Sequence, residues 1–152
     1  MNEKFKKLNL SLIIAIVAFI VYDVCLIFLN MNAISYANDQ LPHQKFMESA
    51  AADKLEHLIN ITQIATWFIV ATLIILVIAL IITIINRAKA DKTLQLIIIG
   101  LCAIVGIVFI VGLAFGTPIL ALATLLLLIP AYRGYKELNS SQPVVQQVYA
   151  QQ

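Results

Sequence analysis

The chain has 152 residues, 62% of them hydrophobic and 12% charged, with ten Lys and Arg against eight Asp and Glu for a formal charge of +2. Soluble domains are about half apolar and about a quarter charged, so this balance excludes a soluble enzyme or binding domain and implies one compact membrane domain. So small a charge gives no basis for a nucleic-acid partner.

Residues 1–7, MNEKFKK, place Lys4, Lys6 and Lys7 ahead of the first apolar run, about 8–30. Ser35-Tyr36-Ala37 resembles a cleavage site, but this run exceeds the 7–15 apolar residues of a signal peptide and is read as a permanent span. Residues 31–61 form the outer loop. After Pro42, the residues Phe46, Met47, Ala50, Ala51, Lys54, Leu55 and Leu58 recur at three and four, with His43, Glu48, Asp53, Glu56 and His57 mostly elsewhere. That pattern predicts a short amphipathic helix over 43–58, lying on the membrane or capping the bundle. A bend is expected near 60–62, because one straight helix from 43 to 86 would reach roughly 65 Å.

The second span, about 64–86, holds the clearest signal in the chain. Residues 67–86, WFIVATLIILVIALIITIIN, carry no charge and cover about 30 Å as a helix, the thickness of a bilayer's hydrocarbon core. Trp67 stands at one end and Arg87 with Lys89 at the other, as interfacial residues do. A tight basic turn, 87–93, leads to the third span, 94–115, which contains Gly100, Gly106 and Gly112. Gly116-Thr117-Pro118 then makes a short turn, with Pro118 suited to the first position of a helix. The fourth span, about 118–135, ends among Arg133, Tyr135 and Lys136, so spans three and four form an antiparallel hairpin. The tail 138–152 has no charged side chain, is rich in Gln and Ser, and is expected to be disordered, although Val144, Val145, Val148 and Tyr149 would share a helical face on binding. The predicted fold is all-α: a four-helix transmembrane bundle over 1–137 with a short amphipathic outer helix between spans one and two.

Basic residues set the orientation. Three lie in the amino tail, three in the 87–92 turn and two after span four, whereas the outer loop sets Lys45 and Lys54 against Asp39, Glu48, Asp53 and Glu56. The expectation is a multi-pass plasma-membrane protein with both termini cytoplasmic.

Asp23 is the most informative single residue. It falls past the middle of span one, where an ionised carboxylate is costly, and its depth matches Thr72 in span two. This intramembrane polar site has three readings: a protonated acid hydrogen-bonded inside the bundle, a charge pairing with a basic residue of a partner, and a proton carrier. Gly112 and Gly116 form a small-xxx-small pattern, and Cys102 with Gly106 repeats the spacing; this suits packing against span four or a homodimer face. Glu48, Asp53, Glu56 and His57 are candidates for outer-loop interaction. Asp53 and His57, four apart, would supply two zinc ligands, with a third needed from His43 or Glu56; a solvated outer face accounts for them better, and no metal is assigned. Cys25 and Cys102 are read as small apolar residues at different depths, beyond the reach of a disulfide. The glycosylation patterns at Asn60 and Asn139 are discounted, the first abutting the membrane and the second lying on the cytoplasmic side.

The sequence contains no phosphate loop, CxxC pair, HExxH or nucleophile elbow, so no enzyme activity and no cofactor are assigned. The lysine-led first span, long outer loop, tight basic turn, glycine-bearing third span and a fourth span ending in Tyr132-Arg133-Gly134-Tyr135-Lys136 together resemble the small four-span membrane proteins of unknown function of Gram-positive bacteria. That resemblance implies a bacterial plasma-membrane protein and transfers no site residues. Two functions follow as expectations. The first is a small accessory, immunity or regulatory subunit acting on a membrane partner; the alternative is a homo-oligomeric small transporter or channel using Asp23. Beside the lipid bilayer, the expected partner is another membrane protein or a second copy.

Overall fold

The computed structural model describes the backbone of residues 3–47 and 49–151, and the side chains of 3–42 and 50–139. Four α-helices account for nearly all of it: α1 (Glu3–Met47), α2 (Ser49–Lys89), α3 (Lys92–Gly112) and α4 (Leu128–Gln151). Two 3-10 segments, Leu113–Phe115 and Ile119–Leu127, lie between α3 and α4. Four stretches, Glu3–Pro42, Ala50–Lys89, Lys92–Phe115 and Ile119–Asn139, are long and apolar enough to cross a bilayer, the fourth joining the second 3-10 segment to the start of α4.

Packing runs in a ring, α1 on α2, α2 on α3, α3 on α4 and α4 back on α1, as in an up-down-up-down bundle. The buried residues explain why. On α1 they include Phe5, Asn9, Leu12, Ile16, Asp23 and Leu26; on α2, Ala65, Ile69, Thr72, Leu76, Ala79, Thr83 and Asn86. The α2 set steps by alternating threes and fours, and the α1 set does so apart from one step of seven between Ile16 and Asp23, a 3.5-residue seam that keeps one helix facing another along a shallow crossing. The apolar core of the bundle includes Leu12 and Ile16 of α1, Ile69 and Leu76 of α2, and Ile98, Cys102, Val105 and Phe109 of α3. The remaining faces expose Ile14, Val21, Ile74, Ile81, Ile107 and Ile110. So apolar an outer surface suits lipid.

The turns follow from local chemistry. Asp91, in extended conformation, caps α3 by accepting from the Thr93 amide at 2.8 Å. The preceding Ala90 takes φ +49°, and its amide donates to the Asn86 carbonyl at 2.8 Å. At the other end Gly116 takes φ +94°, a left-handed turn that glycine adopts without steric cost. Between Pro118 and Leu127 the buried residues are Ala121, Thr124 and Leu127, spaced strictly by three. That is the repeat of a 3-10 helix, in which side chains at i and i+3 eclipse. Pro130 is the third residue of α4, where its missing N–H is among those that the first turn of a helix leaves unpaired.

The short amphipathic outer helix is not found. The backbone continues as α1 to Met47 through Pro42, and α2 runs unbroken from Ser49 through the expected bend at 60–62. Instead of lying on the bundle, the outer loop is the tip of two long antiparallel helices. Its buried face also differs from the predicted stripe, since Ala52 and Ile59 are buried while Ala50 and Leu58 are exposed. The physical reason is the partner: the seam with α1 continues beyond the bundle and selects a different face from the one a flat membrane surface would select. The backbone of α4 continues as helix to Gln151.

Candidate functional site

Polar residues recur along the α1–α2 seam at heptad spacing. Asn9, Ile16, Asp23 and Asn30 occupy successive positions seven apart, and three of the four are polar. Each polar one meets a threonine of α2. The Asn9 amide donates to the Thr83 carbonyl at 3.1 Å, and the Asn30 amide donates to Thr66 Oγ1 at 3.2 Å. At Asp23, Thr72 Oγ1 lies 2.9 Å from Oδ2 and 2.7 Å from the Ile69 carbonyl oxygen. Asp23 and Thr72 are both fully buried. Asn9 Oδ1 and Asp23 Oδ1 accept no hydrogen bond among the described residues.

A second polar layer closes the basic end of the bundle. The Asn86 amide donates to Gln95 Oε1 at 3.0 Å, and the Gln95 amide donates to the Ala131 carbonyl at 2.8 Å. Asn86 Oδ1 accepts from the Asp91 amide at 2.7 Å. One continuous network thus joins α2, the basic turn, α3 and α4. Gly134 makes it possible, because a Cβ there would stand 2.9 Å from Gln95 Nε2. None of Asn9, Asn30, Asn86 or Gln95 stands out in the sequence. The signal available for the first two was the seven-residue spacing, which only has meaning once α1 is known to face α2.

Along the seam, the Asp23–Thr72 pair stands apart from Asn9–Thr83 and the network at the basic end. Thr72 and Thr83 are eleven residues apart on α2, about 16 Å along the axis, and Leu76 and Ala79 fill the seam between them. Facing them on α1 are Leu12 and Ile16, also fully buried.

The glycines serve separate purposes. Gly106 is buried, with a Cβ there overlapping Leu125 of the Ile119–Leu127 segment. Gly112 faces Thr117 of its own turn, and Gly116 lies in the turn itself. Cys25 is exposed, Cys102 is buried, and both are free. Asp53, Glu56 and His57 are exposed on the projecting part of α2; Glu48 and the side chain of His43 lie outside the described residues. Among the described residues no three His, Cys, Asp or Glu side chains gather as a metal site.

Two contacts give a ruler for that projection. Phe68 stacks on Phe115 with ring centroids 5.4 Å apart, which sets the 3-10 segment that follows α3 level with Phe68. Asn30 meets Thr66 just above. Residues 49–67 of α2 and 31–47 of α1 therefore stand beyond the other two helices as a two-helix stalk about 25–28 Å long.

Four apolar helices, a lipid-compatible outer surface and buried polar pairs between helices define a multi-pass α-helical membrane protein. No protein-family model, curated protein or solved structure matches this chain.

Proposed function

We propose that this chain is a bacterial plasma-membrane protein of the accessory or regulatory kind, which acts by binding another membrane protein through its stalk. Both termini and the basic turn are assigned to the cytoplasm and the stalk to the outside, on the distribution of Lys and Arg. The stalk is the observation that carries the reading. It exposes Met31 at 57%, Tyr36 at 69% and Leu58 at 58%, apolar surface on a slender pair of helices away from the lipid-facing bundle. Clefts of about 260 and 430 Å³ lie along it, bordered by Ile34, Tyr36, Gln40, Lys54, Leu55 and Leu58. Isolated apolar patches of this kind are what a partner helix or loop would cover.

The alternative, a homo-oligomeric small transporter or channel using Asp23, has less support. The roughly 16 Å of packed aliphatic side chains between Asp23–Thr72 and the polar layer at the basic end leaves no wet path within one copy.

Affinity purification in mild detergent tests the proposal. The native chain should retain a membrane protein that a Tyr36→Asp, Leu58→Asp variant loses while remaining inserted and helical. Retention of the same proteins by both forms would count against the stalk as the binding surface. Orientation is read separately, with both natural cysteines replaced by alanine. Asn38→Cys should react with a membrane-impermeant thiol reagent on intact cells and Lys89→Cys should not; the reverse pattern would overturn the assignment.

A further inference from the structure

At the basic end, α1 and α4 each present three residues at i, i+3 and i+4 into one cleft: Lys4, Lys7 and Leu8 from α1, and Arg133, Lys136 and Glu137 from α4. The cleft measures about 340 Å³ and gathers four cations around one carboxylate. Four cations against one carboxylate leave the cleft with a net charge of +3, which water screens less at the mouth of an apolar bundle than in bulk. An arrangement of that kind is relieved by an anion seated among them. The surroundings specify which anion. Ile129, four residues before Arg133, is 51% exposed, and Ile14, seven after Lys7, is 62% exposed. Aliphatic side chains open to the bilayer thus lie directly below the cationic rim. Tyr132 is half exposed on the same turn of α4, and Lys136 Nζ stands 5.8 Å from its ring centroid, the pairing of an aromatic and a cation found at headgroup depth.

We propose that this cleft binds the phosphate of an anionic phospholipid, with the cations of α1 and α4 on the headgroup and the acyl chains along the Ile14 and Ile129 faces. Basic pockets between membrane helices are where such headgroups bind. The site does not depend on which way the protein is oriented, since either leaflet presents headgroups at that depth. A neighbouring cleft of about 370 Å³, lined by Lys6, Ile84, Arg87 and Ala88, supplies an internal comparison. It holds two cations, and Arg87 already donates to the Lys6 carbonyl at 3.4 Å.

The test uses the full chain in mild detergent, titrated with phosphatidylglycerol, phosphatidylcholine or inorganic phosphate and followed by native mass spectrometry and thermal unfolding. Phosphatidylglycerol should bind and raise the unfolding temperature, with phosphatidylcholine much weaker. Removing charge should weaken phosphatidylglycerol binding about five-fold per cation, so Arg133→Gln with Lys136→Gln should lose about 25-fold. Lys7→Gln, on the other helix, should lose about five-fold, which keeps the test valid if the α4 double variant folds poorly. Lys6→Gln with Arg87→Gln should change binding less than two-fold. Equal loss in that pair would show a diffuse surface charge and overturn the site. Undiminished binding in the cleft variants would overturn it as well. Protection by inorganic phosphate equal to that by phosphatidylglycerol would show an ion site instead of a lipid site.

Discussion

Thr72 Oγ1 has two oxygen neighbours, Asp23 Oδ2 at 2.9 Å and the Ile69 carbonyl at 2.7 Å, and one hydrogen to give. The count closes when the carboxyl carries a proton: Asp23 donates to Thr72, and Thr72 donates to Ile69. An ionised carboxylate would leave two acceptors competing for that hydrogen, with Oδ1 buried and unaccepted. Asp23→Asn preserves the chain of donors, since the amide N–H donates as the acid O–H does. Its unfolding free energy in detergent should match the native protein's within about 0.5 kcal/mol, and Asp23→Leu should cost no more than about 1 kcal/mol because Thr72 keeps Ile69. The native protein should show the infrared C=O stretch of a protonated carboxyl, absent from Asp23→Asn. A large gain in stability in Asp23→Asn would mean that the carboxylate is ionised.

Gln95 holds more of the structure than Asp23 does. It accepts from Asn86 and donates to Ala131, so Gln95→Leu strands a buried N–H on one side and a carbonyl on the other. Leaving such groups unpaired costs about 1–3 kcal/mol. The expected order in an unfolding titration is Gln95→Leu well below Asp23→Leu; equal losses would show that the network at the basic end is not a fastening.

The glycines should respond in opposite directions. Gly100 has open space around its Cα, so Gly100→Ala should gain up to about 1 kcal/mol from helix propensity. Gly116→Ala meets the left-handed penalty at φ +94° and should lose about 1–2 kcal/mol. Thermal unfolding of the two variants side by side checks both signs.

In the stalk, Ala52 and Ile59 are buried against α1, whereas Glu56 faces water. Ala52→Glu or Ile59→Asp should open the hairpin and raise its rate of proteolytic cleavage in the native membrane; Glu56→Ala should leave it unchanged. Equal rates would mean that the two helices do not pack there.

The spans were legible because a charge-free run of twenty residues such as 67–86 matches the hydrocarbon thickness of a bilayer and exceeds what a small soluble core can bury. Depth counting likewise places Asp23 opposite Thr72, since rise per residue is fixed. The stalk was not legible. Phe46 to Leu58 do show a three-and-four repeat, yet the repeat does not say whether membrane or helix lies against it, and the register changed with the partner. The polar network was hidden for a related reason: Asn86 and Gln95 flank a basic turn, where polar residues look like solvent-facing loop until both are found buried at 0% and 2% exposure.

The 3-10 geometry of Ile119–Leu127 bears on how thick a membrane the protein tolerates. Residues 119–132 are the fourth span's only charge-free length, fourteen residues with Arg133 directly behind, and this span has the lowest mean hydropathy, 1.3 against 3.0 to 3.4 for the others. As α-helix that run would cover about 21 Å; with nine residues at 2.0 Å rise and five at 1.5 Å it covers about 25 Å, closer to the roughly 30 Å of hydrocarbon. Stretching makes up part of the mismatch, and Arg133 and Lys136 can reach outward for the rest. In vesicles of increasing acyl-chain length, detachment of α4 should therefore precede any loss of the α1–α2 pair, and sorting by bilayer thickness would act on the fourth span before the other three.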